Sequence, residues 1–370
     1  MSLKEIYCQD KAIGILQKAY GAGRVPHAYI FAGPDGVGKF TSAKQWAKLL
    51  LCAEPVIDEG FADSCGQCES CGLLEADSHP DFEHVYKELK EFTKKGKGKP
   101  PPIDFPIDVV REFVIDKVSN RPALSQRRIF ILSETEKLNN SSQNALLKVL
   151  EEPPDYCSII MICTRLDELL ATTKSRAHTI RFGPIEEDRI VEYLQTTDIA
   201  EQSARYFARL SQGSIGLASE WAKLELEGAE LCGIAEEVVG SLANADYADS
   251  LELAGKFLKH AKSIGGIWAK LDSATSKSDL NRRAIKTVLH MIISALQDTI
   301  TTNISPGKAL TNFQLEKHIQ RLSQRFDADK AAEHIAECYK SIHWVESSVN
   351  ETLIFEQLLL NLLDSAKMRV

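Results

Sequence analysis

Two clusters of residues in this sequence have types and spacing that could do chemistry. The first is Gly33-Pro34-Asp35-Gly36-Val37-Gly38-Lys39-Phe40-Thr41. Glycines at Gly33, Gly36 and Gly38 allow a tight turn whose successive N–H groups point inward at a phosphate, and Lys39 can reach the outer phosphates of a nucleotide. A helix starting at this point adds its partial positive charge. The full pattern asks for Ser or Thr directly after the lysine, to hold Mg²⁺. Phe40 stands there instead, and Thr41 comes one residue late. The loop therefore predicts a nucleotide-binding shape with a damaged metal site, although a glycine turn that binds nothing has the same spacing.

The second cluster is Cys52, Cys65, Cys68 and Cys71. Cys65-Gly66-Gln67-Cys68-Glu69-Ser70-Cys71 is two C-x₂-C steps sharing their middle cysteine. Each step brings two thiolates close enough to share one ion, and Cys52 supplies a fourth. Four sulfurs with no open position read as a structural zinc site that staples the fold. The alternative is a set of unliganded buried thiols.

Elements of the right kind flank the glycine loop. Ala28 to Ala32 is a short apolar run of strand type, and Ser42 to Leu50 has helical spacing. Strand, glycine turn and helix is the context that a phosphate-binding loop needs. Ile6 to Ala22 predicts a helix before them. Phe82 to Tyr86, Arg128 to Leu132, Ser158 to Cys163 and His178 to Phe182 predict further strands, the apolar runs being typical of a buried parallel sheet. Ile107 to Val114 predicts a helix, as does Asn139 to Glu152, which two prolines stop. In a phosphate-loop protein the strand at 128–132 should end in two carboxylates, one on the metal's water shell and one on the attacking water. Here it ends in Ser133-Glu134. The metal-side carboxylate is absent and Glu134 remains, a second loss at the same ion, independent of Phe40. Residues 87–102 carry Lys94, Lys95, Lys97 and Lys99 with three prolines, and read as a solvated basic insertion or a nucleic-acid contact.

The whole chain narrows the classes. Its 370 residues predict two or three domains. A net charge of −8 argues against a surface devoted to nucleic acid but leaves a local basic patch open. No apolar run is long enough to span a membrane, and the first residues lack the apolar core of a signal peptide, so the expected compartment is the cytoplasm. Nine cysteines, four of them within twenty residues, fit metal ligation before disulfides in that compartment. After about residue 233 strand signals nearly vanish and helical patterns recur. The last, Asn350 to Met368, carries a stripe of Leu353, Ile354, Leu358, Leu359, Leu362 and Leu363.

Both clusters recur together with His27-Ala28-Tyr29, His79-Pro80-Asp81 and the run Gln143-Asn144-Ala145-Leu146-Leu147-Lys148 through Glu151-Glu152-Pro153-Pro154. With them the chain resembles the bacterial clamp-loader AAA+ subunits of DNA polymerase III, and the delta-prime type more than the gamma/tau type. Ser175-Arg176 and Gly213-Ser214-Ile215-Gly216 continue the likeness, which covers about residues 5–220 and returns at Asn350 to Leu363. The resemblance implies an α/β AAA+ phosphate-loop domain over 1–183 with an inserted zinc module at about 52–71. A small helical lid at 184–224 and an all-α collar at 225–370 follow.

It also implies roles. Arg176 would be an arginine finger reaching the ATP of a neighbouring subunit, although Ala177 replaces the family's Cys. Thr164 falls at the first sensor position. The second sensor arginine is missing, because Gly216 and then Leu217 occupy its place. Phe40, Ser133 and Gly216 together resemble the non-hydrolysing delta-prime subunit, with ATP/Mg²⁺ bound weakly or not at all. Such a subunit belongs to the DNA-directed DNA polymerase holoenzyme by association, and no polymerase carboxylate set is evident. Its implied partners are gamma/tau and delta subunits in a hetero-pentamer, the sliding clamp, and primed DNA, with no membrane. Two rival readings stay open: a gamma/tau-like ATPase using Lys39 and Glu134, and a zinc-bearing DNA-binding adaptor using Lys94 to Lys99.

Overall fold

A computed structural model describes residues 2–94, 104–272, 275–347 and 349–364. Lys95, Lys97, Lys99, Pro100, Pro101, Pro102 and the end of the last predicted helix at Met368 lie outside the described residues. The chain forms two compact units, Met1–Ile185 and Glu186–Val370.

The first unit opens with one 3₁₀ turn and then α1 (Asp10–Gly21). The helix expected from Ile6 starts late because Cys8 sits in the left-handed region, at φ 54°. β1 (Ala28–Ala32) leads through the glycine loop into α2 (Lys39–Leu51). A small antiparallel hairpin, β2 (Val56–Asp58) and β3 (Phe61–Asp63), and α3 (Glu69–Glu75) follow. Next come β4 (Phe82–Val85), then α4 (Ile107–Val110), which a π turn (Arg111–Ile115) joins to α5 (Asp116–Val118). The unit ends with β5 (Arg128–Leu132), α6 (Asn140–Glu151), β6 (Cys157–Cys163), α7 (Ala171–Lys174) and β7 (His178–Arg181).

The central sheet runs β4-β5-β6-β1-β7, and every neighbouring pair is parallel. Both faces are covered, which is why β1 and β6 read as continuous apolar runs and are buried at every residue. Side chains alternate between faces. Tyr29, Phe31, Ile129, Ile131 and Ile160 pack with Leu16 of α1 and Trp46 of α2. Ile30, Phe130, Leu132 and Met161 pack with Val109 of α4 and Leu146 and Val149 of α6.

The second unit is helical throughout its described residues. It comprises α8 (Glu187–Gln195), α9 (Glu201–Leu210), α10 (Ile215–Leu226), α11 (Leu231–Asn244), α12 (Ser250–Leu271), α13 (Lys277–Ile304), α14 (Glu316–Arg325), α15 (Ala328–Glu346) and α16 (Glu351–Leu362). α13 is the axis: Val288, Leu289, Met291, Ile292, Ala295 and Leu296 bury it on several sides. α12 and α15 pack against it, and α16 packs on both, with Phe257 edge-on to Phe355 at 6.4 Å. Five of the six predicted residues of the C-terminal stripe are buried, Leu363 among them. Leu353 is 57% exposed, and Phe355 joins Ile354, Leu358, Leu359 and Leu362 on the buried face. No helix of the described residues is long and apolar enough to cross a membrane.

Candidate functional site

Parallel strands bring their carboxyl ends to one edge, where ligand sites of open α/β sheets form. The glycine loop follows β1, Ser133-Glu134 follows β5, Thr164 follows β6, and Arg181 ends β7. A cavity of about 520 Å³ lies there, lined by Gly33, Pro34, Thr164, Arg165, Arg181 and Phe182 among others. Only glycine fits at Gly33, because a Cβ would sit 2.3 Å from the Phe182 carbonyl oxygen. Gly38, at φ 91°, adopts the left-handed conformation that starts α2.

Lys39 is buried beneath the loop it terminates. Its ammonium donates to the carbonyl oxygens of Gly33, at 2.7 Å, and Pro34. Burial pulls its pKa below the usual lysine value, against the pull of Asp35 and Glu136. The lysine thus holds the loop's own carbonyls, and Asp35 accepts from the Gly36 amide at 2.9 Å. Thr41 is half-buried, and the neighbouring Ser42 hydroxyl bonds back to the Gly38 carbonyl at 2.8 Å.

The two carboxylates after β5 divide differently from the expectation. Glu134 takes a left-handed backbone, φ 52°, and its carboxylate pairs with Lys87 at 3.2 Å and with Lys137. Burial would raise its pKa, but those two ammonium groups hold it below the usual carboxylate value. The charge beside Lys39 and Thr164 is Glu136, which the sequence reading missed. It is 9% exposed and accepts from the Thr164 hydroxyl at 2.6 Å.

The two positions that should hold Mg²⁺, Phe40 and Ser133, both meet His84 instead. The Phe40 ring lies 4.6 Å from the His84 ring, which lies 5.0 Å from Tyr86. The His84 Nε2 is 2.9 Å from the Ser133 hydroxyl. Burial pushes the His84 pKa down to about 4, so the ring is neutral at pH 7. The unfolded chain takes up this proton near pH 6.5 and the folded chain only near 4. The stabilisation is therefore complete above about pH 6.5 and is lost as pH falls toward 4. His84→Phe is expected to flatten the wild-type fall in stability between pH 7 and 5 by on the order of 1–2 kcal/mol, read by thermal unfolding at a series of pH values.

Arg176 follows α7. Its guanidinium pairs with Glu151 at 2.7 Å and donates to the Thr172 carbonyl at 2.9 Å. Its side chain is 34% exposed. Gly216 lies in α10 of the second unit, whose N-cap Ser214 accepts from the Leu217 amide at 3.2 Å.

The four cysteines converge as the spacing requires. Cys52 caps the end of α2, the hairpin returns the chain to Cys65, Cys68 caps the start of α3, and Cys71 lies one turn in. All four sulfurs lie within 4.8 Å of one another, with Cys52 at 3.5 Å from Cys65 and 3.8 Å from Cys68. None is in a disulfide. Burial raises the Cys52 and Cys71 thiols. Burial also acts on Cys68, but amide and thiol hydrogen bonds outweigh it and bring that group down to about 6. The set can hold one metal ion.

Comparison with known proteins gives this edge a lineage. The family described as DNA polymerase III, delta subunit, matches residues 8–186, and its C-terminal part matches residues 270–364. The delta-prime subunit of Pseudomonas aeruginosa is 36% identical over 156 residues, 42% of this chain and 43% of the relative. That of Escherichia coli is 32% identical over 204 residues, 55% and 56% of the two. The gamma/tau subunit of Mycobacterium tuberculosis is 34% identical over 181 residues, 49% of this chain and 28% of the relative. The matched segments thus span about half of these relatives' length or less. On the two family matches, over residues 8–186 and 270–364, the chain belongs to the DNA polymerase III delta-subunit family, and its relatives include delta-prime and gamma/tau subunits.

Proposed function

We propose that this chain is a delta-prime-type subunit that hydrolyses no ATP and lends Arg176 to the ATP site of a neighbouring ATPase subunit. The observation that carries this reading is the pair Phe40 and Ser133 with His84 between them. Mg²⁺ wants hard oxygen ligands in near-octahedral geometry. A phenyl ring packed against a neutral imidazole, and a hydroxyl bonded to that imidazole, offer no such set. Arg176 supports the second half of the reading, since it stands partly exposed at the end of a short helix rather than in the core. The subunit would work in a hetero-pentamer with gamma/tau and delta subunits that opens a sliding clamp and places it on primed DNA in the cytoplasm.

The four thiolates fit zinc. Zn–S bonds of about 2.3 Å in a tetrahedron put sulfurs about 3.8 Å apart; Cys52 lies 3.5 and 3.8 Å from Cys65 and Cys68, and all four sulfurs lie within 4.8 Å of one another. With four sulfur ligands, zinc supplies folding energy and no reactive water. A strong chelator is expected to release one zinc per chain and lower the midpoint of thermal unfolding by a few degrees, the metal being assayed by a chromogenic dye.

The functional reading is tested by ATP turnover of the purified chain, alone and with its cognate gamma-type subunit. Expected is an inert chain alone and turnover in the mixture that depends on Arg176. Mg²⁺-dependent turnover by the chain alone would install the gamma/tau-like ATPase reading, with Lys39 and Glu134 or Glu136 as its machinery. Tight, salt-sensitive DNA binding by the chain alone would favour the zinc-bearing adaptor.

A further inference from the structure

His79-Pro80-Asp81 stands in the chain between the cysteine module and β4. Asp81 is fully buried at the entrance to β4. Its carboxylate accepts from the amides of Ala123, Leu124 and Ser125, at 2.7, 2.8 and 2.8 Å, and so gathers the turn before β5. Its own amide donates to His79 Nδ1 at 3.0 Å. That bond leaves the ring proton on Nε2, because a neutral imidazole carries one N–H. Burial lowers the pKa of His79, which keeps the ring neutral at pH 7.

His79 Nε2 then lies 2.8 Å from the Ser70 hydroxyl and 3.3 Å from the Ser125 hydroxyl. Both hydroxyls in turn donate to one acceptor, the Leu51 carbonyl, at 2.7 and 3.0 Å. Leu51 is the residue before Cys52, and Ser70 is the residue before Cys71. The network therefore touches both arms of the thiolate set: the end of α2 that carries Cys52, and the start of α3 that carries Cys68 and Cys71.

We infer that His79, with Ser70 and Ser125, positions the four thiolates for the metal by tying the Leu51 carbonyl to α3 and both to the sheet. The inference rests on reading the cysteines as a zinc centre. Groups that orient ligands from outside the coordination sphere commonly govern affinity by about tenfold to a hundredfold. Here they do so through the backbone and helix that carry the cysteines, with no contact to the ion.

The test is zinc affinity of the full chain, by competition with a chromophoric chelator. It compares wild type, His79→Ala, the double variant Ser70→Ala/Ser125→Ala, and Val149→Ala, a core change on the opposite face of the sheet. Expected is an affinity about tenfold to a hundredfold weaker in both network variants, with shifted absorption bands when Co²⁺ replaces zinc, and wild-type affinity and bands in Val149→Ala. Network variants that bind zinc within about twofold of wild type, with unshifted Co²⁺ bands, overturn the inference. Should His79→Ala fail to fold, the serine pair decides. A wild type that binds no zinc overturns the four-thiolate reading instead, and the inference with it.

Discussion

Asp81→Ala is expected to cost the first unit about 3–5 kcal/mol and to lower its unfolding midpoint by about 6–20 °C. The carboxylate is 0% exposed and is the acceptor for three consecutive backbone amides. An alanine leaves those three partly buried amides without their acceptor, and an unmade hydrogen bond costs more than a made one contributes. The effect is long-range because the amides belong to the turn feeding β5, while the Asp81 carbonyl accepts from Ile129 in the β4–β5 pairing at 2.8 Å. Asp81→Asn keeps the shape but turns one acceptor into a donor facing an amide, so it should cost less than alanine and more than nothing.

The pH dependence gives a second signature. Burial would raise the Asp81 pKa, but the three amides outweigh it and hold the group below the usual carboxylate value. Its stabilisation is therefore present above the ordinary aspartate pKa near 3.8 and is lost as pH falls through the lower folded value. Wild type and Asp81→Ala should differ fully at pH 5–7 and draw closer as pH falls below the ordinary aspartate value. Thermal unfolding of the full chain at these pH values checks both points. A loss under about 1 kcal/mol at pH 7 would mean that water reaches the freed amides and that Asp81 is no keystone.

How far the sequence reveals this molecule depends on how local the signal is. Strands β1, β5 and β6 are legible because a strand buried on both faces must be apolar at every residue. The cysteine set is legible because thiolate spacing along the chain constrains thiolate spacing in space. The β2–β3 hairpin is not, since Val56 and Ile57 are 52% and 68% exposed and the strands are three residues long. Its one signal is the turn, Glu59-Gly60, where both residues have positive φ, 49° and 83°. Glu136 is hidden for a related reason. A left-handed conformation at a non-glycine residue, Glu134, re-aims the chain after β5, so the motif position turns to Lys87 and Lys137 while a residue two further on meets Thr164. His84 is hidden because its partners, Phe40 and Ser133, lie 44 and 49 residues away in sequence.

In complex with a gamma-type ATPase, Arg176→Ala is expected to slow that partner's turnover by about 10³-fold or more, in kcat rather than KM. A guanidinium aimed at the transferring phosphoryl strengthens its interaction as charge develops, so its loss is felt in the transition state. In the free chain the group is already held, by Glu151 at 2.7 Å and the Thr172 carbonyl at 2.9 Å. Those contacts hold the guanidinium itself against Glu151 and the end of α7. The Glu151 pair is partly exposed on both sides, 34% and 48%, and such pairs are worth only about 0–1 kcal/mol. A phosphate in a drier interface can therefore take the guanidinium at little cost. Arg176→Lys should recover little of the lost rate, because an ammonium cannot make the paired, planar contact. Glu151→Gln should change turnover by no more than about fivefold in either direction, the limit set by a pair of that strength. Single-turnover and steady-state ATP hydrolysis by the reconstituted complex measures all three, and an Arg176→Ala rate within about twofold of wild type would return Arg176 to the role of a surface ion pair.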